Sequence, residues 1–527
     1  MNAQPSDGPR VWGELCDSLA ECYGDKTAFV NTDGAALSFT AYRNRVNQLN
    51  NALAAHGLRK GDRVAILARN CTEYLEVYGL ARSGIVVVPL NWRLTAQELL
   101  PLLQHCAPTL IVADAEHMAL IAGLRPHLPD CAAVAIAATL ADGWLAYETV
   151  LAHGSAAQPV STAPVTPDDV ACLMYTSGTT GAPKGVALTH AGITGNARLA
   201  AREVLELRSD DRTLAAMPLF HAGGMWYHLH PSYTAGCTSV LMAGFDAGAV
   251  LDQVQRQRIT NVHLVPTMIA SLLAHEHVAT ADLRSLRLIF YAASSMPVDL
   301  LRRAMAALSG CAFVQSYGST EAGMITRLAP ADHVRASTGG KVALLASCGR
   351  AAGTNQVRIA DDDGVTVALG EIGEILIRGQ AMMAGYWNND SATRAALVNG
   401  WFRSGDLGYQ DGQGFVYLVD RKNDMIVTGG ENVYPNEVEQ ALCSDPAVAM
   451  AAVFGVPDPR WVERVVAAVV LRPGADATAE QIIARLRRSL AAYKCPKQIV
   501  MHTHLPMNAA GKILKKDLKR DFKVEAI

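Results

Sequence analysis

RVAIL at 63–67, EYLEVYGLARSG at 73–84, IVVVPL at 85–90 and TLIVAD at 109–114 between them decide the fold class. Short apolar runs rich in β-branched residues alternate with a stretch of helical spacing, the rhythm of βαβ units and largely parallel sheets. It returns with NVHLVP at 261–266, RLIFYAA at 287–293 and a helical 298–308. After about residue 345, QVRIAD, GEILIRG and GFVYLVD are separated by Gly/Asp turns, which predicts a small antiparallel barrel or sheet over about 345–420. Beyond it, strands at about 448–454 and 465–471 precede a helix over 478–493. Thr478 and Gln481 form its capping box, and Ile482, Ile483, Leu486 and Leu490 fall on one face. The charged turn DRKND at 420–424 is the expected boundary between a large domain, 1–420, and a small α+β domain, 421–527.

Composition narrows the function. A chain of 527 residues exceeds what one core normally serves, so two to four domains are expected. Half the residues are hydrophobic and 18% are charged, which supplies large buried sheets and excludes a disordered chain. A formal charge of −3 gives no global attraction to nucleic acid or an anionic membrane, so a small local ligand fits better. No signal-peptide run opens the chain and no stretch of about 18 apolar residues follows, which predicts a cytoplasmic protein without an integral membrane segment. The 11 cysteines contain no CxxC pair, and neither His228 with His230 nor His502 with His504 has ligand-type neighbours, so no zinc centre or disulfide framework is expected.

The chemistry is concentrated in a few polar stretches. YTSGTTGAPKG at 175–185 crowds three glycines, hydroxyls and Lys184 directly after an apolar strand, a composition suited to holding phosphate. It is not a P-loop: Pro183 and Lys184 stand where that pattern needs Gly and Lys, and no Ser or Thr follows. QSYGSTEAG at 315–323 places a ring able to stack on a base, a threonine and the carboxylate of Glu321 on a glycine turn, where a magnesium ion could be held. WFRSGDL at 401–407 presents Asp406 as an acceptor for two ribose hydroxyls, with Arg421 nearby. PMNAAGK at 506–512 leaves Lys512 unobstructed after small residues, whereas Lys515, Lys516, Lys519 and Arg520 read as a solvated face.

In order and spacing, from about residue 15 to 517, these motifs resemble the adenylate-forming superfamily of acyl- and aryl-CoA ligases, luciferases and peptide-synthetase adenylation domains, and GGENVYP resembles its acyl-CoA ligase branch. The resemblance implies two mainly parallel α/β sheets plus a small antiparallel β-barrel, followed by a small mobile C-terminal domain. It implies an enzyme that uses ATP, Mg²⁺ and coenzyme A to activate a carboxylic acid. Thr176, Ser177, Gly178, Thr179, Thr180, Gly181 and Lys184 would grip the phosphates. Ala293, Ser294, Ser295, Gln315, Ser316, Tyr317 and Gly318 would line the adenine side, Thr320 would meet the α-phosphate and Glu321 the magnesium. Asp406 and Arg421 would bind ribose, and Lys512 would bridge carboxylate and α-phosphate.

The acid pocket is expected between Gly318 with Gly323 and the segment PLFHAGGMWYH, through His221, Gly223, Gly224, Met225 and Trp226, with His221 as its gate. No cation stands in these walls, which favours a fatty or aromatic monocarboxylic acid. Gly429, Gly430 and Glu431 would admit coenzyme A, and the pivot falls at Asn423, where relatives more often carry Asp or Lys. YAASSMP at 291–297 departs from the glycine-rich turn of many relatives. The alternative reading is a stand-alone adenylation enzyme loading a carrier-protein phosphopantetheine. A homodimer is compatible with either.

Overall fold

A computed structural model describes residues 8, 10–160, 163–176, 183–422, 424–428, 430–508 and 511–525. Two mainly parallel sheets form the body of the molecule. The first runs Gly385–Tyr386, Lys184–Thr189, Val170–Thr176, Val86–Pro89, Arg63–Leu67, Leu110–Asp114, Ala132–Ile136 and Leu145–Ala146, parallel from Val170–Thr176 onward. The second runs Ala312–Gln315, Leu288–Tyr291, Asn261–Leu264, Arg212–Ala215, Thr238–Leu241, Thr27–Asn31 and Ala36–Ser38, parallel except at its last pair. Strands such as Arg63–Leu67, Val86–Pro89 and Leu288–Tyr291 are buried almost throughout, which is why they read as unbroken apolar runs.

The helical stretch at 73–84 is realised as an α-helix, Thr72–Tyr78, that tightens into a 3₁₀ turn, Gly79–Ser83. Gly79 allows this close approach to the neighbouring helix, since a Cβ there would lie 2.5 Å from Val46 Cγ2.

The region after 345 forms an antiparallel sheet of Gln356–Ala360, Gly373–Arg378, Trp401–Gln410, Leu397–Val398 and Val416–Arg421. The C-terminal region has its own sheet, built round the long hairpin Val448–Asp458 and Val462–Leu471, and its own core of Val438, Leu442, Val453, Val465 and Ile482. The expected capping box of Thr478 and Gln481 is present, but the helix spans only Ala479–Leu486. Beyond it the chain tightens into i→i−3 turns, Arg488 N–H donating to Arg485 O (3.1 Å) and Ser489 N–H to Leu486 O (2.9 Å), and Leu490 still packs on the same core through the turn. Among the described residues no helix is long and apolar enough to cross a membrane.

Candidate active site

Strand pairing, rather than any single loop, brings the polar motifs together. Thr176 and Lys184 face each other across an antiparallel pair, so both ends of the glycine-rich segment are fixed at one strand end. Ser177, Gly178, Thr179, Thr180 and Gly181 themselves lie outside the described residues. The Lys184 ammonium sits 4.9 Å from the centre of the Tyr386 ring, and Tyr386 Oη donates to Glu321 Oε1 (3.2 Å). Tyr386 thus couples the expected phosphate grip to the expected magnesium carboxylate. None of the sequence motifs includes it.

Gln315 closes its strand, and Gly318–Ser319 and Gly323–Met324 form a small hairpin. A Cβ on Gly318 would lie 2.2 Å from Gly323 O, so only glycine permits the turn. The turn aims Tyr317 inward: its N–H donates to Thr326 Oγ1 (3.1 Å) and its Oη to Asp406 Oδ2 (2.6 Å). Burial, then the adjacent Asp406 carboxylate, push the Tyr317 pKa well above its ordinary value. Asp406, only 4% exposed, pairs through its other oxygen with Arg421 Nε (2.7 Å), its register partner on the next strand. Each carboxylate oxygen retains a lone pair for a further donor, as a ribose diol requires.

Lys512 enters from the C-terminal region. Its backbone N–H donates to Asn508 Oδ1 (2.8 Å), and Gly511, with φ 74°, packs where a Cβ would lie 2.7 Å from Thr267 Oγ1. The ammonium occupies a crowded but solvent-accessible cleft. Desolvation, then the charge of Arg421, lower its pKa, while Asp406 and Asp424 oppose the shift. Lys512 also acts on His221, whose pKa is pushed down to about 4 by burial first and by the lysine second. Lys512 therefore lies within electrostatic reach of Asp406, Arg421 and His221.

Lys515 corrects the reading of a solvated basic face. Its ammonium pairs with Glu439 Oε1 at 2.7 Å and feels Asp420, whereas Lys516 and Arg520 are exposed. Buried Asp420 accepts from the N–H groups of Arg421 and Asn436, both at 2.7 Å, and so fastens the end of a strand to the start of the helix Pro435–Cys443. Asn423 and Gly429 lie outside the described residues. Gly430, with φ 86° and open space at its Cβ position, and exposed Glu431 stand at the end of the hairpin formed by Ile426–Thr428 and Glu431–Val433. From the same region Gln440 Nε2 donates to Met296 O (3.4 Å), and Arg472 pairs with Asp299 at 3.5 Å, clasping the 293–299 turn. Within that turn Ala293 adopts φ 75°, a left-handed backbone normally given to glycine, while Ser294 is half-buried and Ser295 exposed.

On the acid side His221 caps a short helix, its Nδ1 accepting from Gly223 N–H (3.1 Å), and Gly223 O faces His263 Nδ1 (2.9 Å). Gly224 packs where a Cβ would lie 2.3 Å from Pro218 O. The chain then continues as a π-helical turn, Met225–Leu229. A small apolar pocket is lined by Ile193, Asn196, Ala222, Trp226, Tyr227, Thr320 and Gly323, among others. Among the described residues no charged side chain lines it. Of the residues assigned to the acid pocket, Trp226 and Gly323 line it, His221, Gly223, Gly224 and Gly318 do not, and Met225 lines a second cavity, because successive residues of a helical turn point in different directions. The helix His190–Leu199 supplies wall residues that the sequence reading missed. Its Asn196 is fixed at both ends, donating to Trp226 O (2.7 Å) and accepting from Met324 N–H (2.9 Å).

Comparison with known proteins gives a consistent picture. A family model described as AMP-binding enzyme matches residues 16–387, and one described as AMP-binding enzyme C-terminal domain matches 437–512. A feruloyl-CoA synthase from Amycolatopsis sp is 40% identical, the match covering 94% of this chain and 95% of the relative. An indoleacetate–CoA ligase from Aromatoleum aromaticum is 39% identical over 92% and 93%. The crystal structure of an anthranilate CoA ligase in complex with anthranoyl-AMP matches with a TM-score of 0.91 at 30% identity, covering 99% of this chain and 100% of that one.

Proposed function

Because this chain belongs to the AMP-binding enzyme family, we propose that it is an ATP-dependent acyl-CoA ligase acting on a fatty or aromatic monocarboxylic acid. The acid carboxylate attacks the α-phosphorus of ATP and pyrophosphate departs. The thiol of coenzyme A then attacks the acyl carbonyl, and AMP departs with the bonding electrons of the acyl–phosphate link. The supporting observation is the convergence of Lys512 on the Tyr317–Asp406–Arg421 cluster, beside an apolar pocket that Thr320 borders.

The first step brings negative charge onto negative charge, so fixed cations matter more than a nucleophilic side chain. Lys512 spans the carboxylate and the α-phosphate, Asp406 and Arg421 hold the ribose, and Tyr317 stacks on adenine. Thr176 and Lys184, with the glycine-rich residues between them, hold the pyrophosphate side. His221, kept neutral by burial, separates nucleotide from acid without adding a charge. Glu321 is suited to Mg²⁺, since Tyr386 occupies only one of its oxygens and hard oxygen donors on phosphate complete such a site. The ion would lower charge repulsion at the phosphates.

The domain spanning 421–527 turns about Asn423 between the steps, withdrawing Lys512 and presenting Gly429, Gly430 and Glu431 to the pantetheine arm in a cytoplasmic enzyme. Mixing the protein with ATP, Mg²⁺ and a panel of acids, with and without coenzyme A, tests this reading. Pyrophosphate together with a CoA thioester is expected. Pyrophosphate without thioester indicates a carrier-linked acceptor instead, and no pyrophosphate with any acid overturns adenylation itself.

A further inference from the structure

Polar groups on the two sides of Asn423 meet across it. Before it, Lys422 is tied down, its ammonium pairing with Asp362 Oδ1 (2.5 Å) and its N–H donating to Gly405 O (2.9 Å). After it comes the helix Pro435–Cys443, whose N-cap residue Tyr434 makes no side-chain cap. The first N–H groups of a helix have no partner within it. One of these, Asn436 N–H, is met by Asp420 Oδ2 at 2.7 Å. A buried carboxylate from before the pivot thus caps a helix that follows it, at the end where helix polarity favours negative charge.

Lys515 completes the arrangement. It opens the helix Lys515–Glu525, an end at which helix polarity disfavours a cation, yet its side chain is only 21% exposed. Its ammonium pairs with Glu439 Oε1 at 2.7 Å. Glu439 stands one turn along the capped helix from Asn436, and the same oxygen accepts from Val453 N–H (2.8 Å), which fixes it against the strand Val448–Asp458. Burial works against the charge of Lys515, and Glu439, then Asp420 and Asp424, outweigh it, so that its pKa lies above the ordinary lysine value.

Lys515 also sits at the base of the loop that carries Lys512. Leu514 N–H donates to Pro506 O and Asn508 N–H to Lys512 O, both at 2.8 Å, so the loop is closed on itself and Lys515 follows directly. Fixing Lys515 therefore fixes the direction in which the loop presents Lys512. Farther from the pivot the C-terminal region touches the body more loosely. Gln440 Nε2 donates to Met296 O and Thr267 Oγ1 to Gly511 O, each at 3.4 Å, and Arg472 stands 3.5 Å from Asp299. The short contact is the cap beside the pivot.

We propose that Asp420 and Lys515 form a latch that holds Lys512 in place for adenylation and opens before the thioester step. Asp420 precedes Asn423, whereas Asn436, Glu439 and Lys515 follow it, so a turn about Asn423 parts the carboxylate from all three. Lys515 is a positioning residue: it acts through Lys512 and does not touch the reacting atoms. The inference rests on the ligase reading above, with its turn about Asn423, and adds to it the residues that set the balance between the two steps.

Following the half-reactions separately in the full-length enzyme tests it. One is pyrophosphate release from ATP, Mg²⁺ and the acid that turns over best, without coenzyme A. The other is thioester formation from coenzyme A and the chemically prepared adenylate of that acid. Lys515→Met, which keeps the stem and removes the charge, should slow pyrophosphate release about fivefold or more, with thioester formation no slower than about half the wild-type rate. Asp420→Asn should act in the same direction, and Lys515→Arg, which keeps the charge, should leave both rates within about twofold of wild type. If Lys515→Met does not fold, Asp420→Asn decides. Equal loss in both half-reactions would show general structural support and overturn the latch, as would no loss in either. Wild-type turnover with such a result defeats the latch alone, whereas no pyrophosphate from the wild type with any acid defeats the ligase reading and the latch together.

Discussion

Around Asp406 both carboxylate oxygens, the Tyr317 hydroxyl and the Arg421 guanidinium have partners within 2.6–2.7 Å before any ligand arrives. Around Trp226 the walls are apolar and aromatic, with Ile193, Ala222 and Tyr227 beside it and the Tyr78 ring edge-on at 5.2 Å. The proposed nucleotide side is a preorganised set of charges, and such a set acts without reorganising during reaction. The expected acid side is an apolar shape rather than a set of charges. One enzyme can therefore keep a fixed ATP chemistry while its acid varies, because the two halves rest on different physics.

The sharpest way to break this contrast is to remove the cation that joins the halves. Lys512→Ala should slow pyrophosphate release about 10²-fold or more, the scale of losing one preorganised charge donor, with little change in melting temperature. The wild-type pH profile carries the same information. Because desolvation and Arg421 lower the Lys512 pKa, its charged form is lost as pH rises through a value below the ordinary lysine range, so kcat/KM for ATP should fall on that alkaline limb. Lys512→Arg, always protonated, should remove the limb. A limb at the same pH in both enzymes would falsify the assignment of Lys512 as the titrating group.

A pair of variants sharpens the division between the halves. Asp406→Asn leaves Arg421 without its counter-charge and should raise KM for ATP roughly 30-fold, in line with about 2 kcal/mol for breaking a hydrogen-bonded charge pair, while the ranking of acids is unchanged. Trp226→Ala should do the reverse, altering the acid ranking by about tenfold with KM for ATP within a factor of about two. Crossed effects, such as Trp226→Ala weakening ATP as much as Asp406→Asn, would show that the halves are coupled.

What the sequence made legible follows the same division. Asp406 and Arg421 could be paired because both belong to short motifs, and strand register then places them opposite each other. Lys512 is announced by its glycine turn. The acid wall from Ile193 and Asn196 was not legible, since the helix His190–Leu199 carries nothing that distinguishes a pocket wall from an ordinary packed helix. Lys515 was misread because lysine-rich ends are usually solvated, and its partner Glu439 comes from a distant helix. The helix expected over 478–493 stops at Leu486, where i→i−3 turns take over while Leu490 still reaches the core, so apolar spacing alone did not mark its end. Local chemistry survives translation from sequence, whereas long-range packing does not.

The smallest expected effect tests whether the nucleotide side holds backbone strain as well as fixed charge. Ala293 at φ 75° lies in the turn expected to face adenine, and Val462 at φ 70° is a β-branched residue in the same left-handed region on a C-terminal hairpin. Both backbones are disfavoured for an L-residue by about 1–2 kcal/mol, and glycine adopts them freely at an entropic cost of about 0.5–1 kcal/mol. Val462→Gly removes an exposed side chain and should raise stability by about 0.5–1 kcal/mol in denaturant titration, with no change in KM for ATP. Ala293→Gly should gain a similar amount, but it also frees a turn that Gln440 and Arg472 clasp from the C-terminal side, so KM for ATP should rise about twofold. Equal stabilisation with KM unchanged in both variants would mean that the strain at Ala293 is incidental to binding. A rise confined to Ala293→Gly would mean that a held backbone, like the held charges around Asp406, belongs to the preorganised half.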